Sequence, residues 1–227
     1  MVLQYMGGKF RIVKPLTSFL EEQRAGRPFV EPFVGAAWVT ASMSGIRISS
    51  DIHPDLILMW QAIQAGWIPP STVTEEEYNQ LRTAEPSALR GFVGFGCSFA
   101  GKWFGGYARS GKRNYALNAK NSCIKLAPSI QSVQFLCRDY QDVYVDGSLI
   151  YCDPPYEDTT GYFQAFDWVC FWNTMREWTR ENLVYVSSYK APPDFACVAE
   201  FPTKTDMRTN RNGKEARVER LFSLRQA

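Results

Sequence analysis

A single histidine stands in 227 residues, and the six cysteines (Cys97, Cys123, Cys137, Cys152, Cys170 and Cys197) form no C-x-x-C pair. That spacing excludes a clustered zinc site and gives no sign of a disulfide framework, so no metal and a reducing compartment are expected. There is no run of about 18 apolar residues that would cross a bilayer. The first residues, M-V-L-Q-Y-M-G-G-K, lack the apolar core of a signal peptide. A soluble cytosolic protein with no membrane partner is therefore expected. An excess of one charge is also missing: 25 basic residues face 23 acidic ones, a net of +2. Total charge thus says nothing about partners, and only its distribution can. What is present is a chain that is 45% hydrophobic and 15% aromatic, enough to bury a core and too much for a disordered tail. The length suits one domain, or one domain carrying an insert.

Apolar spacing places a helix over 11–23, with Ile12, Leu16, Phe19 and Leu20 on one face. A buried strand follows at 28–34, then a turn at Gly35 and a helix over 36–44. A second short strand covers 47–50 and ends at Asp51; a helix over 53–65 has Pro54 in its first turn, where proline is tolerated. This is the grammar of a parallel α/β sheet. It breaks between Trp67 and about Ile130 and resumes at Val133, with strands ending at Asp139 and Asp153. A helix over 167–180 and a strand over 182–188 come next, and the segments 196–202 and 216–224 read as a closing antiparallel pair. The architecture expected is one α/β domain with an insert of about 65 residues.

Ligands of open parallel sheets lie beyond the carboxyl ends of the strands. Asp51 follows Gly35 by sixteen residues, near the offset at which an acid meets ribose hydroxyls in nucleotide-binding units. A carboxylate suits a diol because it accepts from both O–H groups. Taken singly, each of Asp51, Asp139 and Asp153 reads as a turn former or helix cap; in register at successive strand ends they read as a site. The tetrapeptide Asp153-Pro154-Pro155-Tyr156 adds a stiff acceptor geometry, because its prolines fix φ and remove two donors. A carboxylate, a rigid carbonyl and an aromatic face suit a planar base bearing an amine. Accepting from both amine protons favours a pyramidal nitrogen with an available lone pair.

From Arg90 to Lys125 there are seven basic residues (Arg90, Lys102, Arg109, Lys112, Arg113, Lys120 and Lys125) and no acid, which suits phosphate binding. Asn114, Asn118, Arg109 and Arg113 are candidate readers of base edges. Phe92, Phe95, Phe99 and Trp103 have helical spacing and read as the insert's core; Trp103, Phe104 and Tyr107 lie among glycines and read as contact residues. Residues 106–116 form a candidate hairpin turning at Ser110-Gly111. A second basic set, Lys204, Arg208, Arg211, Lys214, Arg217 and Arg220, is diluted by Asp206, Glu215 and Glu219.

Y-M-G-G-K at 5–9, E-P-F-V-G-A-A at 31–37, S-D-I-H-P-D-L-I at 50–57, D-P-P-Y-E-D-T-T-G-Y-F at 153–163 and V-Y-V-S-S-Y at 184–189 together carry a resemblance over nearly the whole chain. The sequence resembles the Dam-type (α-group) DNA adenine-N6 methyltransferases. The resemblance implies a Rossmann-like methyltransferase sheet, with residues 1–66 and 132–227 forming the catalytic domain and 67–131 a mostly helical target-recognition insert. It implies S-adenosylmethionine as cofactor, double-stranded DNA as partner, a monomer, and no particular partner nuclease. It implies cofactor contacts by Tyr5, Lys9 (near the cofactor carboxylate), Glu31, Phe33, Gly35, Asp51, Ile52, Asp139 and Asp153. It places Asp153, Pro154, Pro155 and Tyr156 around the target base, and Lys102, Arg109, Lys112, Arg113, Asn114, Asn118 and Lys120 on DNA. The loop over 157–166 reads as a lid. Two departures stand out. Ala37 replaces a second loop glycine, so weaker cofactor affinity is expected; His53 replaces a frequent asparagine. The alternatives are transfer to cytosine N4 or to RNA adenine, and a silent DNA-binding protein of the same fold.

Overall fold

The computed structural model describes residues 8–143, 146–155, 166–203 and 217–225. After a 3-10 turn at Lys9–Arg11 come α1 (Val13–Arg24), β1 (Phe29–Glu31), β2 (Arg47–Asp51) and α2 (Pro54–Gln64). Three helices follow: α3 (Glu75–Leu81), α4 (Ala88–Gly96) and α5 (Tyr115–Leu126). The sheet resumes with β3 (Val133–Cys137), β4 (Leu149–Cys152), α6 (Trp168–Trp178), β5 (Leu183–Ser188), β6 (Phe195–Thr203) and β7 (Arg217–Leu224). The chain is thus a Rossmann-like α/β fold, with a helical stretch between α2 and β3.

The seven strands lie in the order β3-β2-β1-β4-β5-β7-β6. The first five are parallel, while β7 runs antiparallel to both β5 and β6. From β1 the chain first fills one side of the sheet and then crosses to the other. The order therefore reverses between β1 and β4, and a crevice opens there beyond the strand ends. One apolar layer, with Phe29, Leu149, Tyr151 and Leu221, packs under α1. The opposite layer has Val30, Ile150, Val184 and Phe222 under α6. Alternate residues of each strand feed the two layers, as a strand's period of two requires.

Local chemistry accounts for the helix starts. Thr74 and Glu77 form a reciprocal capping box at α3, and Ser87, Asn114 and Asp167 cap α4, α5 and α6 through their side chains. α4 and α5 do not build a separate core. Phe92 and Val93 of α4, Ala119 and Cys123 of α5, and Leu56 and Trp60 of α2 belong to one cluster that reaches Phe135 of β3.

Three local expectations are corrected. The helix over 36–44 is instead a run of turns with a 3-10 segment at Thr40–Ser42. Gly35 (φ 45°) and Ala37 (φ 56°) are both left-handed, which interrupts a right-handed helix. The hairpin over 106–116 is absent: Ser98 and Tyr107 form an isolated antiparallel bridge, and Asn114 already caps α5. The aromatic spacing of 92, 95, 99 and 103 outruns its helix, because α4 ends at Gly96 and Ala100 is left-handed (φ 56°). Phe99 is consequently 69% exposed. Trp103, Phe104 and Tyr107 fold back onto the core.

Candidate active site

The crevice between β1 and β4 is walled by acids, each delivered by a strand end. Glu31 closes β1, Asp51 closes β2 and Asp153 follows β4. Glu31 shares its face with Phe29, and Asp153 shares its face with Tyr151, so both point to the α1 side of the sheet. Lys9 comes in from the N-terminal 3-10 turn and sets its Nζ 2.6 Å from Asp153 Oδ1 and 3.4 Å from Glu219 Oε1. Burial alone would lower the lysine's pKa; the two carboxylates outweigh it and raise the pKa above its ordinary value. The ammonium expected near a cofactor carboxylate is therefore placed against the Asp153 carboxylate.

The glycine loop is braced from two sides. Asp51 Oδ2 accepts from the Gly35 N–H at 3.2 Å and Oδ1 from the His53 N–H at 3.0 Å. Trp60 Nε1 donates to the Gly35 carbonyl at 2.9 Å. Burial pushes Asp51 up to about 6, against the lowering effect of its backbone N–H donors. Glu31 is raised well above the carboxylate range by burial and then by Asp153, while the N–H of Thr40 donates to it at 2.9 Å. Ala37 is fully buried in the α2-side cluster, so its methyl group packs into the core. Phe33 stacks at a tilt on Tyr140, 5.3 Å between ring centroids, and Ile52 is exposed at the rim. Pro154 is buried and Pro155 half-buried directly after Asp153.

Asp139 also lies at a strand end, but its carboxylate caps the following turn by accepting from Gln141 N–H at 3.0 Å. Tyr5, Tyr156 and nearly all of the loop over 157–166 lie outside the described residues, as do Lys204, Arg208, Arg211 and Lys214. The thiol of Cys152, next to Asp153, is raised well above its ordinary value by burial and by Asp153, which makes it a poor nucleophile. Glu219 is the site member that sequence reasoning missed: it was read as an acid diluting a basic tail. The available signal was its place near the start of the closing antiparallel strand, which puts it at the ligand edge.

The helical stretch exposes several basic residues. Arg109, Lys112 and Arg113 are exposed; Lys102, Asn118 and Lys120 are half-buried. Three of the residues considered for DNA contact are engaged in the protein. Arg90 binds buried Asp55 at 2.7 Å, Arg109 pairs with Glu75, and Asn114 both caps α5 and donates to the Ser71 carbonyl at 3.0 Å. A cavity of about 650 Å³ is lined by Arg109, Arg113, Asn114 and Tyr107. His53 lies under the insert, its ring 4.1 Å from that of Trp103 and 5.1 Å from that of Phe95. Burial lowers its pKa to about 4, so it is neutral at pH 7.

A buried acid set around one lysine favours a ligand carrying positive charge, and Asp51 beside a glycine turn favours one carrying a diol. A sulfonium nucleoside combines both, so these residues fit S-adenosylmethionine. Among the described residues no group of three or more His, Cys, Asp or Glu is disposed to hold a metal ion. None of their helices is long and apolar enough to cross a membrane.

Comparison with known proteins agrees with this chemistry. The DNA adenine methylase of Vibrio cholerae serotype O1 (strain El Tor Inaba N16961) is 27% identical, covering 72% of this chain and 68% of the relative. That of Escherichia coli strain K12 is 28% identical with the same coverage. Among solved structures, the rRNA methyltransferase aviRa from Streptomyces viridochromogenes aligns with 99% of this chain and 88% of that chain at 12% identity and a TM-score of 0.43, too distant to speak for substrate. Residues 5–89 and 102–178, well over half of the sequence, match one family along their length. The chain belongs to the D12 class N6 adenine-specific DNA methyltransferases.

Proposed function

We propose that the protein methylates adenine N6 within a short sequence of double-stranded DNA, with the target base turned out of the duplex into the crevice between β1 and β4. The observation that carries this reading is the placement of Asp153, followed directly by Pro154, at the β4 end of that crevice, with the Asp153 side chain on the same face as Glu31 and beside Lys9. A base stacked in a duplex cannot reach a sheet edge, and extrusion solves the geometry at a cost of a few kcal/mol.

Asp153 and the Pro154 carbonyl accept from the two amine protons and turn the nitrogen lone pair toward the methyl donor. Lys9 holds the Asp153 carboxylate in place. Asp51 takes the ribose hydroxyls of the cofactor, and the Gly35 turn lets the backbone approach it closely. Glu31, Phe33 and Ile52 line the same pocket, and Tyr156 stacks on the base. S-adenosylmethionine, when bound, supplies a methyl group on a positively charged sulfur. With the amine so held by Asp153 and Pro154, its lone pair would face that methyl group in line with the bond to sulfur, whose electrons would stay on sulfur, and the excess amine proton would pass to water. Positioning and electrostatics supply most of the acceleration, with no covalent enzyme intermediate.

The helical stretch over 67–131 serves as the target-recognition unit. Lys102, Lys112, Arg113 and Lys120 engage phosphates, with Arg109 and Asn118 beside them. Exposed Phe99 next to Lys102 is an aromatic ring available to the bases, where Trp103, Phe104 and Tyr107 were expected. Asp153→Ala should lower turnover at least about a hundredfold with the fold intact. Single-turnover assays with nucleoside analysis of the product DNA test it. Normal 6-methyladenine formation by that variant would overturn the reading.

A further inference from the structure

Glu219 is a buried acid that binding the cofactor and the base does not by itself call for. Its side chain is 9% exposed, and a carboxylate removed from water is costly unless it is paired. Topology explains how it reaches the site. Because β7 is antiparallel to β5, its first residues lie beside the carboxyl end of β5, where Arg220 pairs with Ser188. Leu221 faces the α1-side core along with Tyr151, so Glu219, two residues earlier on β7, faces the same side as Asp153. Its Oε1 lies 3.4 Å from the Nζ of Lys9, which is 2.6 Å from Asp153 Oδ1. One ammonium from the start of the chain thus bridges two carboxylates, one just after β4 and one on β7.

We propose that Glu219 is a positioning residue for methyl transfer: by holding Lys9 as a second carboxylate partner, it fixes the ammonium against Asp153 and thereby sets the orientation of that carboxylate. The inference rests on the reading of Asp153 as the amine acceptor. A lysine is a point charge on a four-carbon stem with several rotamers. One partner restrains it weakly, whereas a second carboxylate narrows where the charge can sit. Misplacing a reacting group by about 1 Å costs up to about a hundredfold in rate.

The test compares Glu219→Gln, Glu219→Asp, Lys9→Met and the Lys9→Met/Glu219→Gln double variant, with Asp153→Ala as reference. Glu219→Gln is expected to lower kcat at least about tenfold, with cofactor Kd within about twofold of wild type and an unchanged melting temperature. Glu219→Asp should recover part of the rate. The double variant should be no slower than Lys9→Met alone, because Glu219 acts through Lys9. If Glu219→Gln does not fold, Glu219→Met, which fills the site without a charge, carries the same expectation. Wild-type kcat in a folded Glu219 variant, or multiplicative losses in the double variant, would overturn the proposal. So would matched losses of kcat, cofactor affinity and stability. An inactive Asp153→Ala beside a fully active Glu219→Gln removes Glu219 alone, whereas an active Asp153→Ala removes the reading beneath it.

Discussion

Asp51 and Asp153 show how similar carboxylates take different work from their surroundings. Asp153 has a lysine at 2.6 Å, whereas Asp51 accepts from the neutral N–H groups of Gly35 and His53. Burial therefore prevails at Asp51 and raises it to about 6. Ribose hydroxyls donate best to the ionised form, so cofactor affinity should rise with pH through about 6 and level off above 7. At pH 5 about one-tenth of Asp51 is ionised, and Kd should be about tenfold weaker than at pH 7. Isothermal titration between pH 5 and 8 checks this. Glu31 and Lys9 face the same crevice, so Asp51→Asn is the control: its weaker binding should lose that pH dependence. At Ala37 the departure from glycine takes the form of a left-handed alanine, a strained backbone conformation for a residue with a β-carbon.

At the scale of elements, the decisive contact is α2 against α4. A β-carbon at Gly91 would lie 2.2 Å from the Asp55 carbonyl oxygen, and one at Gly94 would lie 2.2 Å from the Trp103 ring. These glycines let α4 close on α2 and let Trp103 lie against α4. Asp55 closes the joint by accepting from the Ser87 N–H at 2.8 Å and from Arg90 at 2.7 Å. Gly91→Ala cannot be absorbed by a side-chain rotation, since the obstacle is backbone. It should destabilise the protein by about 1–3 kcal/mol in denaturant melts. Because α2 also carries Trp60, which holds the Gly35 carbonyl, the same variant should weaken cofactor binding.

For the whole molecule, the near-neutral total conceals the acid-free basic run between Arg90 and Lys125 on the helical stretch. DNA affinity should fall steeply with salt as counterions are released. Arg109 is held by Glu75, and both are exposed. Glu75→Gln frees that guanidinium for phosphate, so affinity at low salt should rise a few-fold. The slope of log affinity against log salt should steepen by about one. Filter binding or fluorescence anisotropy at several salt concentrations measures both.

Much of this protein was legible along the chain, because the signals are local. The apolar runs ending at acids, the proline pair after Asp153 and the Gly35 turn announce a parallel sheet with a ligand edge, and each depends on neighbours a few residues away. The exposure of Phe99 was not legible, since left-handed Ala100 ends the helical spacing that had grouped it with Phe92, Phe95 and Trp103. Nor was the engagement of Arg90, Arg109 and Asn114, whose partners lie 35, 34 and 43 residues away. The sequence by itself determined which chemical groups stand at the strand ends. Only the tertiary structure decided which of them meet: Lys9, Asp153 and Glu219 are distant in the chain, and the antiparallel direction of β7 brings the last of them to the other two.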